Sequence, residues 1–523
     1  MNGAESLLKT LANCDVDVCF INPGTSEMHF VAALDEVDGI RCVLGLFEGV
    51  VAGAADGYAR MARKPAATLT HLGPGFANSL AHVHNAKRGN IPMVNIIGQH
   101  ATYHLELDAP LTTDIHSIAS PVSHWVYSSE SPEAIAKDTA KAVQEAGHNK
   151  IATLMLPTDV SWGDNPNGPV ESVEIPPLSK VSESDITKAA ELLAHGDETM
   201  VLLGGPYIDT DMGITLSKIA KATGARICTE TFTVRMERGE GTAKIDRMPY
   251  RAENAVQVMS GVKHLILVGA KAPVAFFAYP GMSSVLTPED CEVLNLATVD
   301  HDTKTCLNDL MLAVNAQEAE ANIATRAVPA MPSGDLNTRT WTEVFANRMP
   351  ENTIVVDDSS ASGAFAFPLT QSAAPHDWTM LTGGVIGYGL AASVGAAVAC
   401  PDRKVVCLQS DGGAMYSIQA LWTMARENLD VTVIILNNQK YNVLEAEFAL
   451  TGARGGKPSP KAASVLDIGS PNMNFVDMAT GMGVKATRAT TVEEFDEQLQ
   501  AALDTQGPCL VEAMIPAREF KVK

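Results

Sequence analysis

The stretch KVVCLQSDGGAMYSIQALWTMARENLDVTVIILNNQK, residues 404–440, decides the fold. Lys404 to Leu408 is an apolar run that predicts a strand, and Ser410-Asp411-Gly412-Gly413 predicts a tight turn. Ile418, Leu421, Trp422 and Ala425 recur at helical spacing, so Tyr416 to Glu427 is expected to be a helix. Val431 to Leu436 is the next strand, and it ends at Asn437-Asn438. Strand, helix and strand in this order make a βαβ unit with parallel strands. Asp411 and Asn438 then share the carboxyl edge of one sheet, which is where open α/β folds bind ligands.

The same alternation extends to both ends of the chain. Val16 to Ile21, Cys42 to Leu46, Ala66 to Thr70 and Met93 to Ile97 are candidate strands, with helical patterns at Glu48 to Arg63 and Ala77 to Lys87 between them. A central segment repeats the pattern, with strands ending at Gly204-Gly205 and Gly269. The glycine pair lacks the spacing of a dinucleotide fingerprint and reads more simply as a turn. Linkers are expected at Pro176-Pro177 with residues 179–184, and at Val328 to Gly334. The fold class is therefore α/β, with three domains of parallel sheets flanked by helices: residues 1–170, 183–325 and 335–523.

Composition narrows the function. With 38 Lys plus Arg against 61 Asp plus Glu, the formal charge is -23, a surface that repels phosphate backbones and anionic headgroups. Neither nucleic acid nor a membrane is expected as a partner, and any anionic ligand must be held locally by a metal ion or backbone N–H groups. The nine cysteines never form C-x-x-C and are odd in number, which points to reduced thiols. The start Met1-Asn2-Gly3-Ala4-Glu5 has no basic, apolar leader, so a cytoplasmic location is expected. Met380 to Cys400 carries no charge, but its Gly- and Ala-rich composition and its opening at Thr382-Gly383-Gly384 suit a buried helix beside a ligand better than a membrane span.

A carboxylate and an amide oxygen at one sheet edge form a hard oxygen site suited to Mg²⁺, which usually takes phosphate oxygens as its other ligands. Gly412 and Gly413 would let backbone N–H groups approach the same phosphates. Asp-Gly-Gly between strand and helix is a weak signal by itself. The Asn437-Asn438 pair at the end of the following strand strengthens it.

On these residues the chain resembles the thiamine diphosphate (ThDP) enzymes of the decarboxylase and acetolactate synthase superfamily, whose signature is Gly-Asp-Gly followed by Asn-Asn. Ser410 stands here in place of the first Gly. The pattern is nearest to the benzoylformate decarboxylases. The resemblance implies ThDP and Mg²⁺ as cofactors, and it names the domains as ThDP pyrimidine-binding, central, and diphosphate/Mg-binding. It implies that Asp411, Asn438 and the carbonyl of Lys440 bind the metal, with Gly412, Gly413 and Ser360 near the diphosphate. Gly384 and Ile386 would contact the aminopyrimidine and hold the cofactor bent, and Asn78 would lie in the cofactor site. Glu48, in an apolar Gly- and Ala-rich setting, would activate the cofactor by sharing a proton with its pyrimidine nitrogen. A homodimer or homotetramer with cofactor sites between subunits is also implied.

The resemblance leaves the reaction open. His71, in Thr70-His71-Leu72-Gly73-Pro74-Gly75, stands where benzoylformate decarboxylases carry a catalytic histidine, and a histidine titrating near neutrality suits protonation of the product. Non-oxidative decarboxylation of a 2-keto acid to an aldehyde is therefore the expected reaction. The alternatives are an acetolactate-synthase-like carboligase and, less favoured, an inactive cofactor-binding partner subunit. The second histidine of the decarboxylases is missing, since Ala275-Phe276-Phe277-Ala278-Tyr279 occupies its place. His100, His104, His116 and His124 are further candidates. Phe276, Phe277, Val443, Leu444 and Phe448 would line a pocket or fill a core.

Overall fold

The computed structural model describes residues 1–518, and three sheets, parallel except for one edge strand, organise them. The first contains β1 (Val18–Asn22), β2 (Arg41–Leu44), β3 (Ala66–His71), β4 (Met93–Gln99), β5 (Trp125–Ser128) and β6 (Ile151–Pro157), in the order β2-β1-β3-β4-β6-β5. Next along the chain come β7 (Thr199–Leu203), β8 (Arg226–Thr229), β9 (Arg235–Arg238), β10 (His264–Val268) and β11 (Glu292–Ala297). Four of these form a sheet ordered β11-β10-β7-β8. The last strands are β12 (Thr353–Asp358), β13 (His376–Met380), β14 (Val405–Ser410), β15 (Val431–Asn437), β16 (Lys485–Ala489) and β17 (Cys509–Met514). β9 leaves its sequence neighbours and pairs antiparallel with β13 at the edge of this third sheet. The architecture is the α/β class with helix-flanked parallel sheets that the alternating pattern predicts.

The buried strands read as near-continuous apolar runs because both faces of a parallel sheet are covered. Every residue of β15 is buried, as is every residue of β4. The helix expected at Tyr416 to Glu427 is shorter, Ala420–Arg426, and Asp411–Ala414 forms a separate helical turn. The intervening residues turn because the Ser417 hydroxyl donates to the Gly387 carbonyl at 2.6 Å, a tertiary bond that helical periodicity does not record.

Small residues join the first and third sheets. Helix α1 (Glu48–Ala62) packs on helix α3 (Tyr388–Ala399), while α2 (Leu72–Arg88) lies beside α1. A Cβ on Gly57 would lie 2.0 Å from the Ala392 carbonyl oxygen, and one on Gly395 would lie 1.8 Å from that of Ala54, so the two backbones touch where each helix has a glycine. The uncharged stretch Met380 to Cys400 is thus a strand end, a turn and a buried helix. No helix among the described residues is long and apolar enough to cross a membrane.

Beneath this crossing lies a buried polar network. Asp56 pairs with Arg60 at 2.6 Å and accepts from Asn85 Nδ2 at 2.7 Å. Arg60 donates to the carbonyls of Val234 and Met380, and Asn85 Oδ1 accepts from the Gly383 N–H at 2.8 Å. A buried ion pair this fully bonded is costly to break and holds the turn after β13 in place. In the central sheet a Cβ on Gly204 would lie 2.3 Å from Glu230 Oε2, so Glu230 fills the space beside the glycine turn and accepts from the Lys271 N–H at 3.1 Å.

Candidate active site

Two clusters of polar side chains form at carboxyl ends of strands. The first sits where β14 and β15 end side by side in register, Ser410 opposite Leu436. Asp411 is buried; its Oδ1 accepts from the Gly412 N–H at 2.8 Å, and its Oδ2 accepts from the N–H groups of Asn438 at 3.0 Å and Gln439 at 2.7 Å. Burial nevertheless raises the Asp411 pKa above the usual carboxylate value, the three N–H donors offsetting it only in part. Asn438 Nδ2 donates to Ser362 Oγ at 3.0 Å, and Asn438 Oδ1 accepts from the Lys440 N–H at 2.9 Å. Ser360 opens the turn after β12 with φ +52°, but Ser362, two residues on, is the serine that touches Asn438.

The turn before α3 closes over this cluster. Ile386 Cγ2 lies 3.3 Å from where a Cβ on Gly413 would stand, and Ile386 itself is 49% exposed. Gly384 has φ +72°, a left-handed conformation that disfavours any side chain. Asp358, absent from the sequence reading, holds the turn: its Oδ2 accepts from Gly387 N–H at 2.9 Å, Gly389 N–H at 3.4 Å and Gln409 Nε2 at 2.8 Å. Complete burial pushes its pKa to about 7.

A carboxylate, an amide oxygen and a neighbouring backbone carbonyl are the oxygen donors that Mg²⁺ takes, and a buried carboxylate with a burial-raised pKa is stabilised by a cation beside it. The residues present therefore fit the metal and a diphosphate. Among the described residues no group of three or more His, Cys, Asp and Glu side chains forms an alternative metal centre.

The second cluster lies at the ends of β1 and β3. Glu48 opens α1 and accepts from Asn78 Nδ2 at 3.0 Å. A Cβ on Gly75 would be 3.0 Å from Glu48 Oε1 and 3.4 Å from His71 Cβ, so the Glu48 carboxyl group and the base of the His71 side chain both flank Gly75. His71 Nδ1 is 2.8 Å from Glu27 Oε2, which also accepts from the Gly24 N–H at 2.6 Å. Burial raises the Glu27 pKa, while the neighbouring His71 opposes the rise. Leu72, directly after the histidine, has φ +53°, a strained conformation for a branched side chain.

Glu27 escaped the sequence reading, although an acid in Pro23-Gly24-Thr25-Ser26-Glu27, just past a strand end, was a usable signal. Of the other histidines, His100 lies near His71, and its pKa is lowered by burial and by the positive charge of His104 and His71; its ring is 5.3 Å from that of His104. His116 bonds Ser120 on its own helix, and His124 accepts from the Ile151 N–H. Among the described residues no hydrogen bond or ion pair links the Glu48 cluster to the Asp411 cluster.

Comparisons with known proteins show the family. Residues 1–119 match the family model described as thiamine pyrophosphate enzyme, N-terminal TPP binding domain, and residues 359–513 match the C-terminal TPP binding domain. A Mycobacterium tuberculosis protein named "Putative acetolactate synthase large subunit IlvX" is 48% identical over 520 residues, 99% of each chain. Benzoylformate decarboxylase of Pseudomonas aeruginosa is 26% identical, covering 94% of this chain and 95% of its own. The solved structure of a ThDP-dependent 4-hydroxybenzoylformate decarboxylase from Rhodococcus jostii superposes with a TM-score of 0.85 at 22% identity, covering 99% of this chain and all of that one, which is a likeness of fold.

Proposed function

The chain belongs to the thiamine pyrophosphate enzymes, and on that premise we propose that it cleaves a 2-keto acid without oxidation, releasing CO₂ and an aldehyde. One observation carries the reading: His71 is clamped by Glu27, and its Cβ flanks the same glycine, Gly75, as the Glu48 carboxyl group. Bound ThDP supplies a nucleophilic carbon and an electron sink for the bond to the carboxylate.

The chain's own residues prepare and finish that chemistry. Asp411, Asn438 and the Lys440 carbonyl would hold Mg²⁺, with Gly412 and Gly413 beside the diphosphate and the Gly412 N–H kept on Asp411 Oδ1. Glu48 would share a proton with the pyrimidine nitrogen, its carboxyl group held by the bond from Asn78 Nδ2. The Gly384 carbonyl would meet the aminopyrimidine, and Ile386, half exposed beside Gly413, would brace the cofactor. His71 Nδ1 is engaged by Glu27, which leaves Nε2 as the atom that exchanges a proton at the substrate carbon. The family resemblance implies a complete site assembled between two copies, one supplying Glu48 and the other Asp411, and so at least a homodimer.

A carboligase is the second reading, favoured by the name of the 48% identical relative. The test is product identification by NMR after incubating the protein with ThDP, Mg²⁺, pyruvate and benzoylformate. Aldehyde alone supports decarboxylation with protonation. Acetolactate or a mixed hydroxyketone overturns it in favour of carboligation.

A further inference from the structure

The two strands that lead into the Glu48 cluster carry a pair of facing thiols. β1 and β2 are parallel and in register, with Cys19 the partner of Cys42. Side chains of such partners point to one side of the sheet. Phe20 and Val43, one position on, enter the core under α1, whereas Cys19 and Cys42 both pack in the core on the opposite face. Neighbouring strands lie about 4.8 Å apart, inside the Cα separation of about 4.4–6.8 Å that a disulfide spans. Among the described residues no other strand pairing sets cysteine opposite cysteine. The pair is asymmetric. Cys19 is fully buried, its Sγ reaching the Phe20 carbonyl at 3.9 Å, a weak contact, while Cys42 is half-buried on the edge strand of the sheet. Burial pushes the Cys19 thiol well above the usual cysteine range, and the neighbouring Cys19 thiol holds Cys42 below it. The accessible member therefore has the greater thiolate character, and the thiolate is the reactive form.

We infer that Cys42 and Cys19 form a redox-modification site: a hydroperoxide oxidises Cys42, Cys19 closes a disulfide, and the bond displaces the strand end that leads to Glu48. In the first step the Cys42 thiolate attacks a peroxide oxygen, the O–O bond breaks, and hydroxide or an alkoxide leaves and takes a proton from solvent, giving a sulfenic acid. In the second, the Cys19 sulfur attacks the Cys42 sulfur, the S–O bond breaks, and the Cys19 proton departs with the hydroxide as water. Two electrons pass from the sulfurs to the peroxide. The effect on the site is mechanical. The Cβ atoms of a disulfide must close to about 3.8 Å, nearer than the strand spacing, so one strand shifts. β1 is held on both sides by β2 and β3, so the edge strand β2 is the one that moves. β2 continues through Gly45, whose N–H donates to the Ile21 carbonyl at 3.0 Å, to Glu48 at the start of α1. A bond made under strain is readily reduced, which suits a reversible switch better than a structural staple. The consequence for the cofactor rests on the role proposed above for Glu48; the chemistry at sulfur does not.

The experiment treats the reduced holoenzyme with hydrogen peroxide, quenches it with a thiol-alkylating agent and maps the cysteines by tryptic tandem mass spectrometry. Cleavage after Arg41 separates the two partners, and fragment ions distinguish Cys19 from Cys14 on the same peptide. A Cys19–Cys42 link is expected before oxidation at any other cysteine. Dimedone should trap a sulfenic acid on Cys42 in Cys19→Ala, and Cys42→Ser should leave Cys19 unoxidised and the basal activity unchanged. After removal of peroxide, exchange of the C2 proton of bound ThDP should slow by on the order of tenfold in the linked protein, part of the roughly 10²–10⁴ that a positioned proton-transfer group supplies, and recover with dithiothreitol. Earlier oxidation of other cysteines, a sulfenic acid on Cys19 in place of Cys42, or a link formed as fast in urea-unfolded protein would overturn the site. A link formed with unchanged exchange would overturn its reach to Glu48. The same exchange measured in reduced Glu48→Gln tests the role of Glu48 separately, so the two failures are distinguishable.

Discussion

Asp358→Asn tests whether a buried carboxyl group latches the turn above the metal cluster. Burial places the Asp358 pKa at about 7, against about 3.9 for a free aspartate. A carboxyl group raised in this way is protonated in the folded protein and ionised in the unfolded chain between those values. Its contribution to stability is therefore greatest at low pH and is lost as pH rises from about 4 toward 7. With these two values, the loss between pH 5 and pH 8 comes to about 2.6 kcal/mol. Asparagine with its oxygen in the Oδ2 position keeps the acceptor for the Gly387 and Gly389 N–H groups and for Gln409 Nε2, and the cost of its amide in the Oδ1 position does not vary with pH, so it cancels when two pH values are compared. Infrared difference spectra of the cofactor-free wild type minus variant should show a protonated carboxyl band that disappears with a midpoint near 7. Urea unfolding should show wild type losing about 2.6 kcal/mol more than the variant over that range. A band already gone at pH 5, or parallel stability curves, would refute the latch.

Glu48→Gln should retain ThDP but lose exchange of the cofactor's C2 proton; exchange at the wild-type rate in hydrogen–deuterium NMR would remove Glu48 from activation. Asp411→Ala should lower Mg²⁺-dependent ThDP affinity by more than the roughly 10- to 100-fold typical of losing an outer-shell partner, and unchanged calorimetric affinity would end the metal assignment. At Gly98 a Cβ would stand 1.5 Å from Glu27 Oε1, so Gly98→Ala should expel Glu27 from His71, shift the His71 imidazole resonances and cost about 1–3 kcal/mol in chemical denaturation. Unshifted resonances would mean that Glu27 does not set the histidine.

What was legible in the sequence and what was not divides along physical lines. β14 and β15 announce themselves because a strand covered on both faces is apolar throughout, and Asp411 and Asn438 follow because a parallel βαβ unit brings its strand ends to one edge. β9 was hidden for the converse reason. Arg-Met-Glu-Arg has no apolar run, and it is held by pairing with β13 and by the Arg235–Asp377 ion pair at 2.7 Å, 142 positions away. Glu27 and His71 are 44 positions apart, and the Gly98 backbone leaves room for the carboxyl group between strands, so no local pattern encodes their contact. Phe276 and Phe277 show the limit of hydrophobicity as a signal, since apolar character records a preference to leave water and is silent on whether protein or substrate accepts the ring.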